Sequence, residues 1–215
     1  AHDRLAPAGA YSPDAASAGR RALANRCLAL LMAGGEPAAE ERAARQYDAA
    51  ESMTDRMAAL AALVHRDADA AGDRLAAFHA RWRADPNVLD KWFTVQATAP
   101  LPDAVDRVEA LTGHPDFDWR TPNRFRAVIG AFAMANPVRF HGADGRGYSL
   151  VAEWLLRLDP VNPQTAARLA GAFESWRRYD AARQKMMRAE LERIAGTEGL
   201  SRNTGEMVAR MLGES

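Results

Sequence analysis

The chain has 215 residues, of which 48% are apolar and 26% are charged, a balance typical of a soluble globular protein. Its 28 basic and 28 acidic residues leave no formal net charge, whereas nucleic-acid-binding domains are usually basic, so we predict no nucleic-acid partner. No run of about 18 apolar residues occurs, so we expect no transmembrane helix and no membrane partner.

The cysteine content and the first residues bear on compartment and origin. The single cysteine, Cys27, excludes an internal disulfide and favours a reducing compartment, so we predict a cytoplasmic protein. The opening residues Ala1-His2-Asp3-Arg4 lack both an initiator methionine and the basic-then-apolar pattern of a signal peptide. We therefore expect a trimmed or processed piece of a longer polypeptide.

Helical spacing of apolar residues begins after residues 1–18, which we expect to form an irregular lead-in. Each apolar set places one stripe on one helix face, and that stripe must be buried against a neighbouring element. The sets in the first half are Leu23, Cys27, Leu30 and Leu31; Met53, Met57, Leu60 and Val64; and Ala71, Leu75, Phe78 and Trp82. Residues 92–98 have strand-like propensity, but a lone strand would leave its backbone groups unpaired, which favours a buried helix there.

The second half continues the same pattern, with clear helix boundaries. Its sets are Phe125, Ile129 and Phe132; Val151, Trp154, Leu155 and Leu158; Leu169, Phe173 and Trp176; Met187, Leu191 and Ile194; and Met207, Val208, Met211 and Leu212. Predicted N-caps are Thr121, Asn162, Asp180 and Ser201, and predicted C-caps are Gly34, Gly113 and Gly196.

These elements predict an all-α fold of about ten helices joined by short connections. One buried face on each successive helix favours stacked antiparallel helix pairs of the HEAT or ARM kind, forming a right-handed type of α-superhelix. We predict a single helical domain over residues 1–215. The glycine-rich stretch 141–147 is too short to divide domains, and its Asp144 and Gly145 predict a tight turn.

The usual signatures of a catalytic or metal site are missing from the sequence. None of the five histidines belongs to an H-E-x-x-H pair, and Cys27 has no partner at metal-ligand spacing. Residues 142–147 follow no strand and precede no Gly-Lys-Ser/Thr, and no serine lies in a G-x-S-x-G segment. We predict no catalytic residue, no metal ligand and no cofactor in this chain.

Tryptophans and arginines carry the remaining hypotheses from residue type alone. Trp82, Trp154 and Trp176 lie on helical stripes and are therefore predicted to pack in the core. Trp119 lies in a connection, so either burial or partial exposure is consistent with its position. Arg124 and Arg126 begin a predicted helix, where a positive charge is unfavourable. Such a position indicates either a carboxylate partner or ligand, or a solvated face.

Several segments, in order, resemble the C-terminal domains of bacterial aminopeptidase N. Residues 53–60 (MTDRMAAL) are similar to the family's NMTDR-x-AAL, residues 90–98 (DKWFTVQAT) to its DKWF-x-x-QA, and residues 122–132 (PNRFRAVIGAF) to its PNR-x-R-x-x-IGAF. Further matches follow at family spacing within residues 136–148, 162–169 and 178–184. The resemblance covers about Gly19 to Leu212, and it implies a helix at residues 92–98.

This resemblance implies a role within a larger enzyme. The whole enzymes are M1-family zinc metallopeptidases that remove N-terminal residues from peptides, and their catalytic domain carries an H-E-x-x-H helix and a G-x-M-E-N segment. Neither motif occurs here. We therefore expect the zinc to be held by the catalytic domain of the same polypeptide, and we expect this chain alone to be inactive. It would pack on that domain, enclose the active-site cavity and admit small peptides transiently.

The resemblance also implies candidate residues for the cavity. Arg126 and Arg168 match arginines of the family segments and could hold a peptide carboxylate, a task suited to a guanidinium. Asn123, Arg124 and Gln164 are secondary candidates. Structural ion pairing is the alternative for these arginines. The rival function is a free-standing helical-repeat scaffold that binds a protein or peptide in a groove.

Overall fold

The computed structural model describes residues 11–213, and these residues form helices and no strands. The helices up to residue 101 are α1 (Ala15–Ala33), α2 (Ala39–Ala49), α3 (Met53–Val64), α4 (Ala71–Trp82) and α5 (Pro86–Ala97). Those after it are α6 (Ala104–Thr112), α7 (Pro122–Phe125), α8 (Ala131–Ala135), α9 (Pro137–Phe140), α10 (Arg146–Leu158), α11 (Pro163–Ala170), α12 (Ala181–Ala195) and α13 (Arg202–Leu212). The predicted all-α class is confirmed.

Three short segments complete the secondary structure. Arg126–Gly130 is a π-helix between α7 and α8, and Gly171–Phe173 and Trp176–Arg178 are 3₁₀ helices. Because residues 122–135 are helical without a break, the predicted helix starting after Thr121 is confirmed. None of the helices within residues 11–213 is long and apolar enough to cross a membrane.

The predicted lead-in over residues 1–18 is wrong at its C-terminal end. Helix α1 begins at Ala15, because the Asp14 carboxylate caps it by accepting a hydrogen bond from the Ser17 amide at 2.9 Å. Residues 1–10 lie outside the described part of the chain. The prediction of a single domain stays a prediction, while the fold divides into two compact units, one up to Leu101 and one from Pro102.

Helix α3 is the centre of the first unit. It contacts α1, α2, α4 and α5, so neighbouring helices cover it on more than one side. Its buried residues are Ala59, Leu60, Ala62, Leu63 and Val64. A helix that is apolar around most of its circumference can only be stable when neighbours cover it, which makes α3 the element on which the others pack.

Polar side chains tie α1 and α2 to the start of α3. The Asn25 amide donates to the Asp55 carboxylate at 2.8 Å, and the Gln46 amide donates to the Asn25 side-chain oxygen at 2.7 Å. Ser52 caps α3 by accepting from the Asp55 amide at 3.1 Å. Arg56 donates to the Ala50 carbonyl. These bonds fix the order and orientation of the first three helices.

Helix α5 resolves the strand-or-helix question at residues 92–98. It begins at Pro86, with the Asp85 carboxylate accepting from the Asn87 amide at 3.0 Å. Trp92 and Phe93 are both buried, and their rings meet edge to face at 4.9 Å. The strand-like propensity of this segment therefore reflects its bulky core residues, and the predicted buried helix is confirmed.

The stripe predicted for α1 is only partly correct. The residues that α1 buries are Ala24, Leu28 and Met32. Leu23 and Leu30, predicted to face the core, are 54% and 59% exposed. Because α1 is apolar on two sides, spacing alone did not distinguish the side that packs against α2 and α3.

In the second unit, α10 contributes more buried residues than any other helix, and its predicted stripe is confirmed. Val151, Trp154, Leu155 and Leu158 are all buried. Trp176 is also buried, as predicted, and donates its indole hydrogen bond to the Met211 carbonyl at 3.2 Å. In the first unit, the third predicted core tryptophan, Trp82, is only half-buried.

Most predicted caps are confirmed, with one exception. The side chains of Asn162, Asp180 and Ser201 each accept a hydrogen bond from an amide in the first turn of α11, α12 and α13. Gly34, Gly113 and Gly196 occupy C-cap positions. Thr121 precedes α7 but makes no side-chain cap; its hydroxyl instead donates to the Asp118 carboxylate at 3.1 Å.

The start of α13 is held by a buried carboxylate at the end of α10. Asp159 is only 2% exposed and accepts from the Ser201 amide at 2.7 Å and the Ser201 hydroxyl at 2.6 Å. The Thr204 hydroxyl, itself buried, also donates to this carboxylate. The negative charge lies near the N-terminus of α13, where it is favourable, and at the C-terminus of α10, where it is not. The three hydrogen bonds therefore decide its contribution, since all three donors would lose their partner without it.

We predict that Asp159→Ala lowers the free energy of unfolding by about 3 kcal/mol, because it removes three hydrogen bonds and leaves buried donors unsatisfied. Urea denaturation would measure the loss. Glu153→Ala, at an exposed position of the same helix, is the control and should change stability little. Equal effects of the two substitutions would contradict the anchoring role of Asp159.

The predicted turn at Asp144-Gly145 is confirmed, and it brings α9 and α10 close together. Gly145 has φ +71°, a conformation that favours glycine. A Cβ on Gly147 would lie 2.6 Å from the Phe140 carbonyl oxygen. Only glycine permits this approach of the two backbones.

We predict that Gly147→Ala destabilises the protein by about 2 kcal/mol through this clash. Gly171→Ala is the matched control, because no atom lies within 4 Å of its added Cβ. That substitution should be neutral or slightly stabilising. Thermal unfolding of the two variants would test the difference, and a Gly147→Ala variant as stable as the native protein would disprove the steric argument.

Candidate functional site

The first candidate residues lie at the junction of α7 and the π-helix. Asn123 and Arg126 are both exposed, and the Arg126 guanidinium donates to the Asn123 side-chain oxygen. Arg126 also donates through Nε to the Pro122 carbonyl at 3.2 Å. These two bonds hold the guanidinium on the surface and leave several of its five N–H donors available to a ligand. Arg126 opens the π segment, an irregularity that often marks functional sites.

Arg124 has a different environment from its neighbours. It is only 8% exposed, and its guanidinium donates to the Asp116 carbonyl. A backbone oxygen is thus one partner of this buried guanidinium. Arg124 ties the connection after α6 to the start of α7, which positions the segment that carries Asn123 and Arg126.

The second pair of candidates lies on α11. Gln164 and Arg168 are spaced by four residues on one helix face, and both are exposed. Within residues 11–213 the Arg168 guanidinium has no hydrogen-bond or ion-pair partner. Leu169, its neighbour in sequence, faces the core. Arg168 is therefore presented outward by a helix that is anchored on its opposite side.

The candidate residues form two separate pairs, one at α7 and one on α11. A hydrogen bond connects Asn123 with Arg126, and helical spacing aligns Gln164 with Arg168. No hydrogen bond links the α7 pair with the α11 pair in the described part of the chain. Other arginines of the second unit form ion pairs, such as Arg146 with Asp106 and Arg202 with Glu206. The two candidate arginines are set apart from these by lacking a carboxylate partner in residues 11–213.

Trp119, left open by the sequence, is half-buried beside two arginines. The guanidinium carbons of Arg120 and Arg157 lie 4.7 Å and 5.0 Å from the centre of its ring. The ring also contacts Trp154 edge to face at 6.3 Å. Cation–π contacts of this kind favour a fixed indole over a freely exposed one.

A groove in the first unit was not anticipated. It has a volume of about 780 Å³ and lies between α3 and α5. Met57 and Ala61 line it from α3, while Lys91 and Thr94 line it from α5. Residues 53–60 and 90–98, two of the segments that resemble the family, therefore meet at one surface. The resemblance of both segments to the family was visible in the sequence, but their spacing along the chain did not indicate that they are neighbours in the fold.

Two histidines sit in environments that favour their neutral form. The pKa of His65 lies below its usual value of 6.5 because the ring is desolvated, and its Nε2 is 3.1 Å from the Val95 carbonyl. Burial and the nearby Arg183 guanidinium lower the pKa of His141, whose ring stacks on Tyr179 at 4.0 Å. Both contacts hold the rings against neighbouring parts of the fold.

These depressed pKa values predict a loss of stability at acid pH. Unfolding restores the pKa of each histidine to about 6.5, so in this pH range the unfolded state binds more protons than the folded state. The free energy of unfolding should decrease as the pH falls below 6.5 and towards the lower folded pKa. His65→Gln, which keeps a side-chain donor, should reduce this dependence. Urea denaturation at pH 7.5 and pH 5.5 would test it, and an unchanged pH dependence in the variant would contradict the assignment.

Comparison with known proteins places this arrangement in a family. The family model described as "Domain of unknown function (DUF3458_C) ARM repeats" matches residues 1–213. This description agrees with the stacked helix pairs expected from the sequence. Aminopeptidase N of Caulobacter vibrioides is 45% identical over 214 residues, which are 99% of this chain and 25% of that protein.

Two further similar proteins agree with this result. Aminopeptidase N of Escherichia coli is 39% identical over 193 residues, 90% of this chain and 22% of that protein. The crystal structure of Legionella pneumophila aminopeptidase A in complex with aspartic acid matches with a TM-score of 0.90 and 32% identity, covering 100% of this chain and 26% of that one. The chain spans about a quarter of the length of these relatives. It belongs to the DUF3458_C ARM-repeat family and corresponds to a C-terminal domain of the aminopeptidase N type.

Proposed function

We propose that this chain is the non-catalytic C-terminal domain of a zinc-dependent aminopeptidase of the M1 family. In this proposal it packs on the catalytic domain of the same polypeptide and encloses the active-site cavity, so that only small peptides enter. The observation that carries the proposal is the similarity to aminopeptidase N over 99% of the chain. The zinc and the hydrolytic groups would belong to the catalytic domain, since the sequence here contains no H-E-x-x-H segment.

The exposed arginines supply the chemistry that such a domain could contribute. Arg126 and Arg168 each present a guanidinium that lacks a carboxylate partner within residues 11–213. A guanidinium can donate two parallel hydrogen bonds to a carboxylate, which suits the C-terminal carboxylate of a short peptide. In this role the arginines would bind and orient substrate, whereas Arg124 would support Arg126 from the interior.

The rival function, a free-standing scaffold, has less support. The groove between α3 and α5 is compatible with a bound segment, but a groove between two helices does not by itself indicate a partner. Sequence similarity over nearly the whole chain to proteins that are all named aminopeptidases favours the peptidase domain.

The substrate role predicts a selective effect of Arg126→Ala and Arg168→Ala in the full-length enzyme. Loss of the charge-assisted contact between one guanidinium and the carboxylate should raise KM for tripeptides with a free carboxylate by at least about tenfold. KM for an aminoacyl anilide, which has no carboxylate, should not change. Arg188→Ala is the control, because Arg188 is already paired with Glu192 at 2.7 Å.

Two outcomes would contradict the proposal. Equal KM changes for peptides and anilides would indicate a structural role for the arginines. Hydrolysis of aminoacyl substrates by the 215-residue chain itself, abolished by a chelator, would show that the domain is catalytic.

A further inference from the structure

Gly130 is a helical glycine that its own surroundings in the fold do not require. Its φ and ψ are −62° and −43°, ordinary α-helical values that any residue adopts. An added Cβ would lie 3.5 Å from the Arg126 Cβ, an ordinary van der Waals distance. Gly145 and Gly147 differ, because a positive φ or a close backbone requires glycine there. Glycine inside a helix is less stable than alanine, so the reason for Gly130 lies outside the packing of residues 11–213.

The π-helix places Gly130 between Arg126 and Met134 on one side of the helical run. The Ala131 amide donates to the Arg126 carbonyl, the long hydrogen bond of a π turn. In an uninterrupted helix, Met134 would lie about 80° around the axis from Arg126. The extra residue of the π turn reduces this angle to about 20°, so the two side chains leave the helix in nearly the same direction.

These three residues form a notch that is accessible from solvent. Its floor is the backbone of Gly130, and one wall is the aliphatic stem of Arg126, whose Cβ and Cγ lie nearest to the position of a Cβ on Gly130. The opposite wall is Met134, which is 56% exposed. The Arg126 guanidinium bonds to the Asn123 side chain and the Pro122 carbonyl. Both partners lie towards the N-terminus, so these bonds draw the guanidinium to one end of the notch and leave the notch open.

The chemistry along the notch indicates what it binds. At one end is a guanidinium with no carboxylate partner in residues 11–213, which suits an anion. Next is a glycine, which permits another backbone to approach closely. At the other end is an exposed thioether, which packs adaptably against apolar groups. In this order the three properties match the end of a peptide, with its carboxylate, its last backbone unit and an apolar last side chain. A small inorganic anion would use the arginine alone.

We propose that Arg126, Gly130 and Met134 form a subsite for the C-terminal residue of a short peptide, with a preference for a large apolar side chain such as that of leucine. The inference rests on the proposed function, in which Arg126 binds the peptide carboxylate, and it adds the specificity of that site. The backbone of the last residue lies over Gly130, and its side chain contacts Met134. Met134 therefore determines the preference, and Gly130 provides the space for the peptide backbone.

Two tripeptides that differ only in the last side chain test the preference in the full-length enzyme. Met134→Ala should raise KM for alanyl-alanyl-leucine by about fivefold, because the contact with the leucine side chain is lost. KM for alanyl-alanyl-glycine and for an aminoacyl anilide should not change. Leu23→Ala is the control, since Leu23 is equally exposed at 54% but lies in the first unit. It should change none of the three KM values.

Gly130→Ala tests the notch by filling it with one methyl group. KM for both tripeptides should rise by about tenfold, because the peptide backbone can no longer approach the helix, and KM for the anilide should stay the same. The Tm of the enzyme should stay the same or rise, because alanine fits at this position and favours a helix. Gly72→Ala is the control, at an exposed helical glycine with no atom within 4 Å of the added Cβ.

Three results would overturn the subsite. An unchanged ratio of the two tripeptide KM values in Met134→Ala would show that the last side chain does not contact Met134. Unchanged tripeptide KM values in Gly130→Ala would show that no peptide enters the notch. A lower Tm of the full-length Gly130→Ala variant would assign the glycine to packing against another part of the polypeptide.

The subsite and the proposed function fail on different measurements. If Arg126→Ala raises KM for both tripeptides while Met134→Ala and Gly130→Ala change neither, the carboxylate role stands and the subsite is wrong. If the full-length protein hydrolyses no peptide, the proposed function is wrong. Calorimetric binding of the same tripeptides then decides the subsite, and equal affinity of the native protein and Met134→Ala for alanyl-alanyl-leucine would disprove it.

Discussion

Burial of apolar helix faces against neighbouring helices is the interaction on which both units depend. Helices of this length are marginal in water by themselves, so each is stable only because a neighbour covers its apolar side. Helix α3 shows the strongest form of this dependence, since Leu60 and Leu63 are fully buried and four other helices surround it. In the second unit, α10 has the same position, with Val151 and Leu155 fully buried.

Polar contacts decide how these faces are aligned. Apolar packing is non-directional, and it would tolerate several rotations of one helix against another. The Asp159 carboxylate accepts hydrogen bonds from Ser201 and Thr204 and so fixes where α13 begins relative to the end of α10. Asp55 has an equivalent role in the first unit, where its carboxylate accepts a hydrogen bond from the side-chain amide of Asn25. The position of Arg168 depends on this alignment, because α11, which carries it, packs on α10 and α13.

The helical class and most helix ends could be predicted from the sequence because they depend on local chemistry. Stripe spacing and side-chain caps such as Asn162 and Asp180 act within a few residues. The groove between α3 and α5 could not be predicted, because it requires two segments distant in the sequence to become neighbours. Nor could the buried face of α1: Leu23 and Leu28 are chemically equal, and only packing against α2 and α3 distinguishes them. The candidate site residues came from family resemblance, since an exposed arginine has no local signature of function.

The π segment at Arg126 illustrates the same limit at the candidate site. Phe125, Ile129 and Phe132 fit an ordinary helical stripe, and all three are buried. Their spacing therefore did not indicate the π-helix that lies between them. A π turn adds one residue to the helical turn and rotates the later residues by about 100° relative to an uninterrupted helix. It leaves Arg126 on the outside while Ala127 and Val128 face inward. An arginine can thus be presented at the surface of a helix whose next two side chains are part of the core.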